Sequence, residues 1–228
     1  MSKSAPSNTF DGPAARASSG YRKGEETRAR ILEAALSEFG MEGFSAVTTR
    51  QIADAADVNL PALNYYFGGK EGLYLACAQE IVQRYLEGVG AVGNVARAAL
   101  AGPLSPREAT DLLKRLMAAL ARFLLSGDAA QRTLFVQREI ASPGPAFEIL
   151  YSGLWRPGIE LASELIAAAT GGQLTEDEVR IRAVMMISSI TGLVKGQDII
   201  VRAAGDSDRT PLVIRVLDHQ IETLARLG

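Results

Sequence analysis

Residues 48–67 decide the fold of this chain, and they read TTRQIADAADVNLPALNYYF. The first half of this stretch carries apolar side chains at helical spacing, Ile52, Ala53 and Ala56. Threonines stand directly in front of them, and threonine caps helices well. The pattern predicts a short helix from Thr49 to Ala56, with Thr48 or Thr49 as its cap.

A tight turn and a second short helix follow. The turn is residues 57–59, Asp-Val-Asn, and Asp and Asn favour turns because their side chains bond to nearby backbone. Asn59 is expected to cap a helix over residues 60–67, with Pro61 in its first turn, where the missing amide costs nothing. Gly68-Gly69 ends it. Two short helices joined by such a turn form a helix-turn-helix, whose second helix fits a B-DNA major groove about 12 Å wide.

The segment before this motif predicts a first helix that begins at Gly24 and ends near Gly43. Its apolar residues recur at helical spacing: Ile31, Leu32, Ala35, Leu36 and Phe39. We expect a second apolar set to pack the three helices together: Ile52, Ala53, Ala56, Val58 and Leu63. The run Tyr65-Tyr66-Phe67 also fits a buried core helix. Adjacent tyrosines point about 100° apart, however, so both are not easily buried, whereas Phe67 fits a core position beneath the first helix.

These residues resemble the helix-turn-helix of the tetracycline-repressor family of regulators. The resemblance covers roughly residues 25–75, and it is carried by Thr48-Thr49-Arg50-Gln51-Ile52-Ala53, Val58, Leu63, Tyr66, Phe67 and Lys70-Glu71. It implies that three N-terminal helices bind DNA and that a variable helical C-terminal domain dimerises and holds an inducer. Residues 59–74 further resemble a branch of that family whose C-terminal domain is poorly characterised.

The resemblance also assigns DNA contacts. It places Thr49 on a phosphate and Arg50 within reach of a phosphate or a base. Tyr66 and Lys70 face phosphates, and the free amides at the start of a helix at Lys70 would add to an anion site, although Lys70 also fits a solvated surface position. The residues directed at bases or thymine methyls are Leu60, Pro61, Ala62, Asn64 and Tyr65.

Two positions depart from the family pattern. Asp57 stands where the turn more often has glycine, which predicts a left-handed or distorted backbone there. Asn64 stands where the family often has tyrosine, and this difference bears on the target sequence rather than on the fold.

Composition limits the classes of function. The chain has 228 residues, a net charge of −2, one histidine (His219) and one cysteine (Cys77), which favours a globular protein of the reducing cytoplasm with no membrane span. Cys77 lies in an apolar stretch that is typical of a small buried residue rather than a redox sensor. The sequence has no cysteines and histidines at the spacing of metal ligands, and it has no phosphate-binding loop. We therefore expect that the protein binds no metal and no cofactor and that it is not an enzyme. An all-α enzyme and a helical protein-binding adaptor are the alternatives to a DNA-binding regulator.

The rest of the chain predicts an all-α protein of about nine helices. Capping boxes start helices at Ser105 and Thr175, Thr210-Pro211 starts another, and Pro157 is expected to break the helix over residues 146–170. We expect three parts: a flexible basic arm (residues 1–22), a helix-turn-helix domain (residues 23–70) and a helical ligand-binding and dimerisation domain (residues 71–228).

The last two helices, residues 176–203 and 211–227, carry broad apolar faces, which predicts a homodimer on palindromic operator DNA. The alternative is that both pack within one subunit. For a small-molecule effector, the sequence offers Arg138 and Glu139 in an otherwise apolar helix, with candidate walls at Met117, Phe123 and Trp155. A structural arginine–carboxylate pair is the alternative for the two charges. Repression with release by an inducer follows from the family resemblance.

Overall fold

The structure is a computed structural model that describes residues 13–126, 129–196, 202, 205 and 208–227. All regular secondary structure in these ranges is helical, which confirms the all-α class. The elements are α1 (Pro13–Glu42), α2 (Thr49–Ala55), α3 (Leu60–Phe67), α4 (Lys70–Leu100), α5 (Pro106–Leu125), α6 (Ala130–Ala141), α7 (Phe147–Leu150), a π-helical turn (Tyr151–Trp155), α8 (Arg156–Ala169), α9 (Glu176–Lys195) and α10 (Thr210–Ala225). With α7, the π turn and α8 counted as one continuous stretch, the named elements form nine helical segments.

Side-chain caps fix the starts of four helices where the sequence predicts them. Thr48, Ser105 and Thr175 each form a capping box with the glutamine or glutamate three residues on, and Asn59 accepts a hydrogen bond from the amide of Ala62 at 2.9 Å. Each such cap stabilises a helix by about 1 kcal/mol. Between Thr48 and Thr49, the structure selects Thr48 as the cap of α2.

Two helix starts differ from the sequence predictions. Helix α1 begins at Pro13 rather than Gly24, so part of the segment predicted as an arm is helical; residues 1–12 lie outside the described residues. Thr210 is not the cap of α10, because the helix already includes it. The N-cap residue is Arg209, and the residue before it, Asp208, accepts a hydrogen bond from the amide of Thr210 at 3.0 Å. Helix α9 ends at Lys195, and the residues predicted to extend it to 203 lie mostly outside the described part.

The helix predicted to break at Pro157 continues through it instead, and the irregularity is the π turn over Tyr151–Trp155 that precedes the proline. Pro157 sits in the first turn of α8, where it needs no amide donor. Gly153 within the π turn lies against α4, since a Cβ there would stand 2.7 Å from Cγ2 of Val82. The turn therefore lets this segment approach α4 closely before α8 begins.

Two apolar cores organise the molecule. The first joins α1 to α4 and also takes in Phe135, Ala146 and Leu150 from α6 and its neighbourhood. The second lies among α5, α8, α9, α10 and the later part of α4. Cys77 is fully buried in the first core, where burial raises the pKa of its thiol, as expected for a packing residue. Because α6 contributes to the first core, helices α1 to α4 and the C-terminal helices are packed together.

Candidate DNA interface and effector cavity

The helix-turn-helix is rigid because its inner faces are buried. Ile52 of α2 and Leu63 of α3 are fully buried in the same core as Ile31 of α1, as the sequence predicts. Phe67 packs at the same core, and the guanidinium of Arg28 lies 5.4 Å from its ring centroid. This packing fixes the orientation of the outward face of α3.

The turn between α2 and α3 has the left-handed backbone that Asp57 predicts. Its φ angle is 52°, and it is the one non-glycine residue with positive φ in the described part of the chain. The amide of Asp57 donates to the carbonyl of Asp54 at 3.2 Å, and the amide of Val58 donates to the carbonyl of Ala53 at 3.0 Å. Asp thus performs the turn that glycine performs more often.

The outward face of α3 carries the residues predicted to contact bases. Pro61, Asn64 and Tyr65 are exposed, with 84% of Tyr65 open to solvent, and Leu60 and Ala62 are partly buried. Tyr66 is partly buried and meets the ring of Tyr65 edge to face at 5.3 Å. The expectation that the two adjacent tyrosines are not both buried agrees with this geometry.

The residues predicted to contact phosphates flank this face. Arg50 is exposed on α2 and Thr49 is partly buried beside it. Lys70 starts α4, where its ammonium lies 4.8 Å from the centroid of Phe44 and donates to the carbonyl of Ser45 at 3.3 Å. The sequence analysis missed Phe44 as the residue that directs Lys70 toward the α1–α2 loop.

Gly72 sets the junction between α3 and α4. A Cβ at this position would stand 1.9 Å from the carbonyl oxygen of Phe67, which is impossible without a shift of one helix. Gly68, with φ of 70°, ends α3 in a left-handed cap. The sequence predicted the stop at Gly68 but not the close approach at Gly72.

A buried polar link joins α4 to α6. The hydroxyl of Tyr74 donates to Oε1 of Glu139 at 2.5 Å, and the amide of Gly144 donates to Oε2 at 3.0 Å. Glu139 is only 2% exposed. Burial and then the hydrogen bond to Glu139 raise the pKa of Tyr74 well above its ordinary value, so its hydroxyl remains a donor at neutral pH.

A second link joins α1 to α6. Nε of Arg138 donates to the carbonyl of Gly40 at 2.6 Å, and its Nη2 donates to the carbonyl of Met41. These carbonyls lie in the last turn of α1, where they have no partner within the helix. The guanidinium therefore caps the C-terminal end of α1.

An apolar cavity lies between α4, α5, α6, α8 and α9. Its volume is about 90 Å³, several times the roughly 10–15 Å³ that one water requires. The predicted walls Met117, Phe123 and Trp155 all line it. Arg138 and Glu139 do not line it, and they do not form a pair with each other, since each binds the partners described above. The polar side chains that do line it were missed by the sequence analysis: Tyr85, Arg132, Thr133, Gln137 and Thr191.

Helices α9 and α10 expose large apolar side chains, Ile181, Val184, Met185, Leu212 and Val216. Their companions Ile190, Leu217, Ile221 and Leu224 are buried within the subunit. In the described part of the chain, no helix is long and apolar enough to cross a membrane, and no cluster of His, Cys, Asp and Glu could hold a metal ion.

Comparison with known proteins covers both parts of the chain. The family model for bacterial regulatory proteins of the tetR family matches residues 31–77. A second model, for the C-terminal domain of the HTH-type transcriptional dual regulator CecR, matches residues 109–228.

Individual proteins are similar over most of its length. The dual regulator CecR of Shigella flexneri is 31% identical over 207 residues, covering 89% of this chain and 92% of the relative. The HTH-type transcriptional repressor KstR of Mycolicibacterium smegmatis is 28% identical over 84% of this chain and 87% of its own. The crystal structure of the TetR family regulator PfmR from Thermus thermophilus shares the fold, with a TM-score of 0.60 at 22% identity over 87% of this chain and 95% of that one. Because the helix-turn-helix and the C-terminal helices match in sequence as well as in architecture, this chain belongs to the TetR family of DNA-binding transcriptional regulators.

Proposed function

We propose that this regulator is a homodimeric repressor of the cytoplasm, which leaves a palindromic operator when a small molecule fills the cavity. Repression and release are typical of the family, and the relative KstR is named as a repressor. Two of the expected parts of the chain correspond to this division of roles: a DNA-reading domain over residues 23–70 and an effector-binding, dimerising domain over residues 71–228.

The position of α6 carries the proposal. Thr133, Val136 and Gln137 of this helix line the cavity. The next residues, Arg138 and Glu139, hold the end of α1 and the start of α4. A ligand that displaces α6 must therefore move the two contacts that orient the helix-turn-helix. Met117, Phe123 and Trp155 serve as effector contacts, whereas Arg138 and Glu139 transmit the change.

The exposed apolar residues of α9 and α10 support the dimer. Pairing both helices with their copies across a two-fold axis would bury these residues in a four-helix interface. Two α3 helices would then face two half-sites of the operator. On each half-site, Leu60, Pro61, Ala62, Asn64 and Tyr65 contact bases, and Thr49, Arg50, Tyr66 and Lys70 contact the backbone.

Linked titrations test the proposal. Selection from random DNA yields the operator, and a thermal-shift screen of small molecules yields stabilising compounds. Such a compound should weaken operator binding about 5- to 150-fold, and the operator should weaken compound binding by the same factor. A compound that saturates the cavity without changing operator affinity would contradict release by an effector.

A further inference from the structure

One charged side chain borders the otherwise apolar cavity. Among the residues that line it in the described part of the chain, Arg132 is the one ionised group. The Arg132 side chain is 7% exposed, and its guanidinium lies 5.8 Å from the ring centroid of Phe123, which also lines the cavity. The cavity therefore combines an apolar body with a cationic margin.

We propose that the effector is an apolar molecule with a single anionic group, such as a carboxylate, and that Arg132 selects this charge. The proposal rests on the proposed function, since it names the class of molecule that fills the same cavity. Leu116, Met117 and Trp155 contact the apolar part of the molecule, and Arg132 binds its anionic group.

The physical reason is the cost of burying charge. An ion that enters an apolar cavity loses its hydration, and the loss is offset only by an opposite charge with good hydrogen-bond geometry. A guanidinium provides this geometry for carboxylates, because its planar N–H donors match two carboxylate oxygens. It repels an ammonium group, and it gives a neutral alcohol a weaker bond.

Arg132 also has interactions within the folded chain, and the proposal leaves them in place. A guanidinium has five N–H donors, and a bidentate carboxylate uses two of them. The neighbouring side chain of Thr133 and the hydroxyl of Tyr85, whose pKa burial raises, supply neutral donors at the same wall.

The chain carries its own reporter of occupancy. Trp155 is the single tryptophan and lines the cavity, so its emission responds to a molecule bound there. Decanoate, decanol and decylamine share one alkyl chain and differ in charge. Each is titrated into the full-length protein below its critical micelle concentration, with Trp155 emission and operator affinity as the two readouts. Decanoate is expected to bind at least about tenfold more tightly than decanol, and decylamine the most weakly.

Variants assign the preference to one residue. Arg132→Met should abolish the advantage of decanoate over decanol. Arg132→Lys should keep an advantage but reduce it, because an ammonium cannot form the bidentate pair. Arg115→Met is the matched control, since Arg115 is exposed on the same bundle and does not line the cavity. Thermal unfolding checks that each variant is folded. If Arg132→Met does not fold, the comparison is made with Arg132→Lys alone.

The outcomes separate this inference from the function on which it rests. If decanol or decylamine binds as tightly as decanoate, or if none of the three changes Trp155 emission, the charge selection is overturned. Even when the charge selection fails, release of the operator by decanoate, decanol or decylamine would still support the proposed function. If decanoate binds with the expected preference but leaves operator affinity unchanged, the inference stands and the proposed release mechanism fails.

Discussion

The side chains at the proposed DNA-facing surface differ in what they can recognise. Asn64 is exposed on α3 and carries an amide that can pair with the N6 and N7 atoms of adenine. Lys70 carries a point charge that suits any phosphate, and Phe44 and Ser45 hold it beside the α1–α2 loop. The first residue can distinguish sequences, and the second can only strengthen binding.

Substitution of these two residues should therefore have effects of different kinds. Asn64→Ala is expected to cost about 1–3 kcal/mol on the preferred operator and to relax base preference at one position per half-site. Lys70→Ala should weaken all sequences alike and lower the salt slope by about 0.9 for each phosphate that the protein no longer neutralises. Binding to an operator library at several salt concentrations measures both effects.

Asn94→Ala is the control for this pair. Asn94 is exposed on α4, about 36 Å along the helix axis from Lys70 at 1.5 Å per residue, so its loss should change neither affinity nor preference. A change of base preference in Lys70→Ala, together with none in Asn64→Ala, would show that α3 does not dock as proposed.

Gly72 and Gly90 provide a matched test of the close approach between α3 and α4. Gly72→Ala should lower both stability and operator affinity, because a Cβ would stand 1.9 Å from the Phe67 carbonyl oxygen. Gly90 lies in the same helix, with its nearest neighbour at 3.9 Å, so Gly90→Ala should stabilise the protein by up to about 1 kcal/mol. Urea unfolding and operator titration measure the two variants. Equal effects of both would contradict a steric role for Gly72.

Among the helices, α6 connects two environments. One side of the helix borders the apolar cavity, and the other side contributes Phe135 to the core of the DNA-reading domain. Arg138 and Glu139 lie at its C-terminal end, where a small rotation of the helix changes both contacts. A buried polar link is sensitive to such a change because an unpaired partner loses its hydrogen bond without regaining water.

A double-mutant cycle measures the link between α4 and α6. Tyr74→Phe should destabilise the protein by about 1–3 kcal/mol, since it removes a donor from the buried carboxylate of Glu139. Glu139→Gln should also destabilise it, and the double variant should lose less than the sum, with a coupling of about 0.5–3 kcal/mol. Tyr151→Phe, at an exposed tyrosine, is the control. Strict additivity of the two changes would mean that the link contributes no coupling.

The cap that Arg138 forms on α1 gives a separate prediction. Arg138→Met should reduce the factor by which an effector lowers operator affinity, because the end of α1 would no longer follow α6. Arg115→Met, at an exposed arginine of α5, should leave the factor unchanged. Reciprocal titrations of compound and operator give the factor for each variant. An undiminished factor in Arg138→Met would assign the transmission to other contacts of α6.

Across the molecule as a whole, the sequence allowed hydrogen bonds between near neighbours in the chain to be predicted, but not contacts between residues far apart in the chain. The caps at Thr48 and Asn59 could be predicted because each bonds to a residue three positions away. Arg138 and Glu139 stand out as charges in an apolar helix, but their partners lie 98 and 65 residues earlier, and periodicity carries no information about such pairings. Arg132 was missed for the same reason, since only the assembled walls show that it borders a cavity.

The assembly of two subunits can be tested through the apolar surface that one subunit leaves exposed. Met185 of α9 is 66% exposed, and Val216 lies on the exposed face of α10. The double variant Met185→Glu/Val216→Glu would place four carboxylates in the proposed interface, where burial of unpaired charge is costly. Light scattering should then give 24.3 kDa rather than twice that mass.

The operator affinity of the double variant should also fall, because separate subunits bind each half-site without the gain in effective concentration that a dimer provides. Val95→Glu, at an exposed apolar residue of α4, should leave the dimer intact, and a dimeric double variant would move the interface elsewhere.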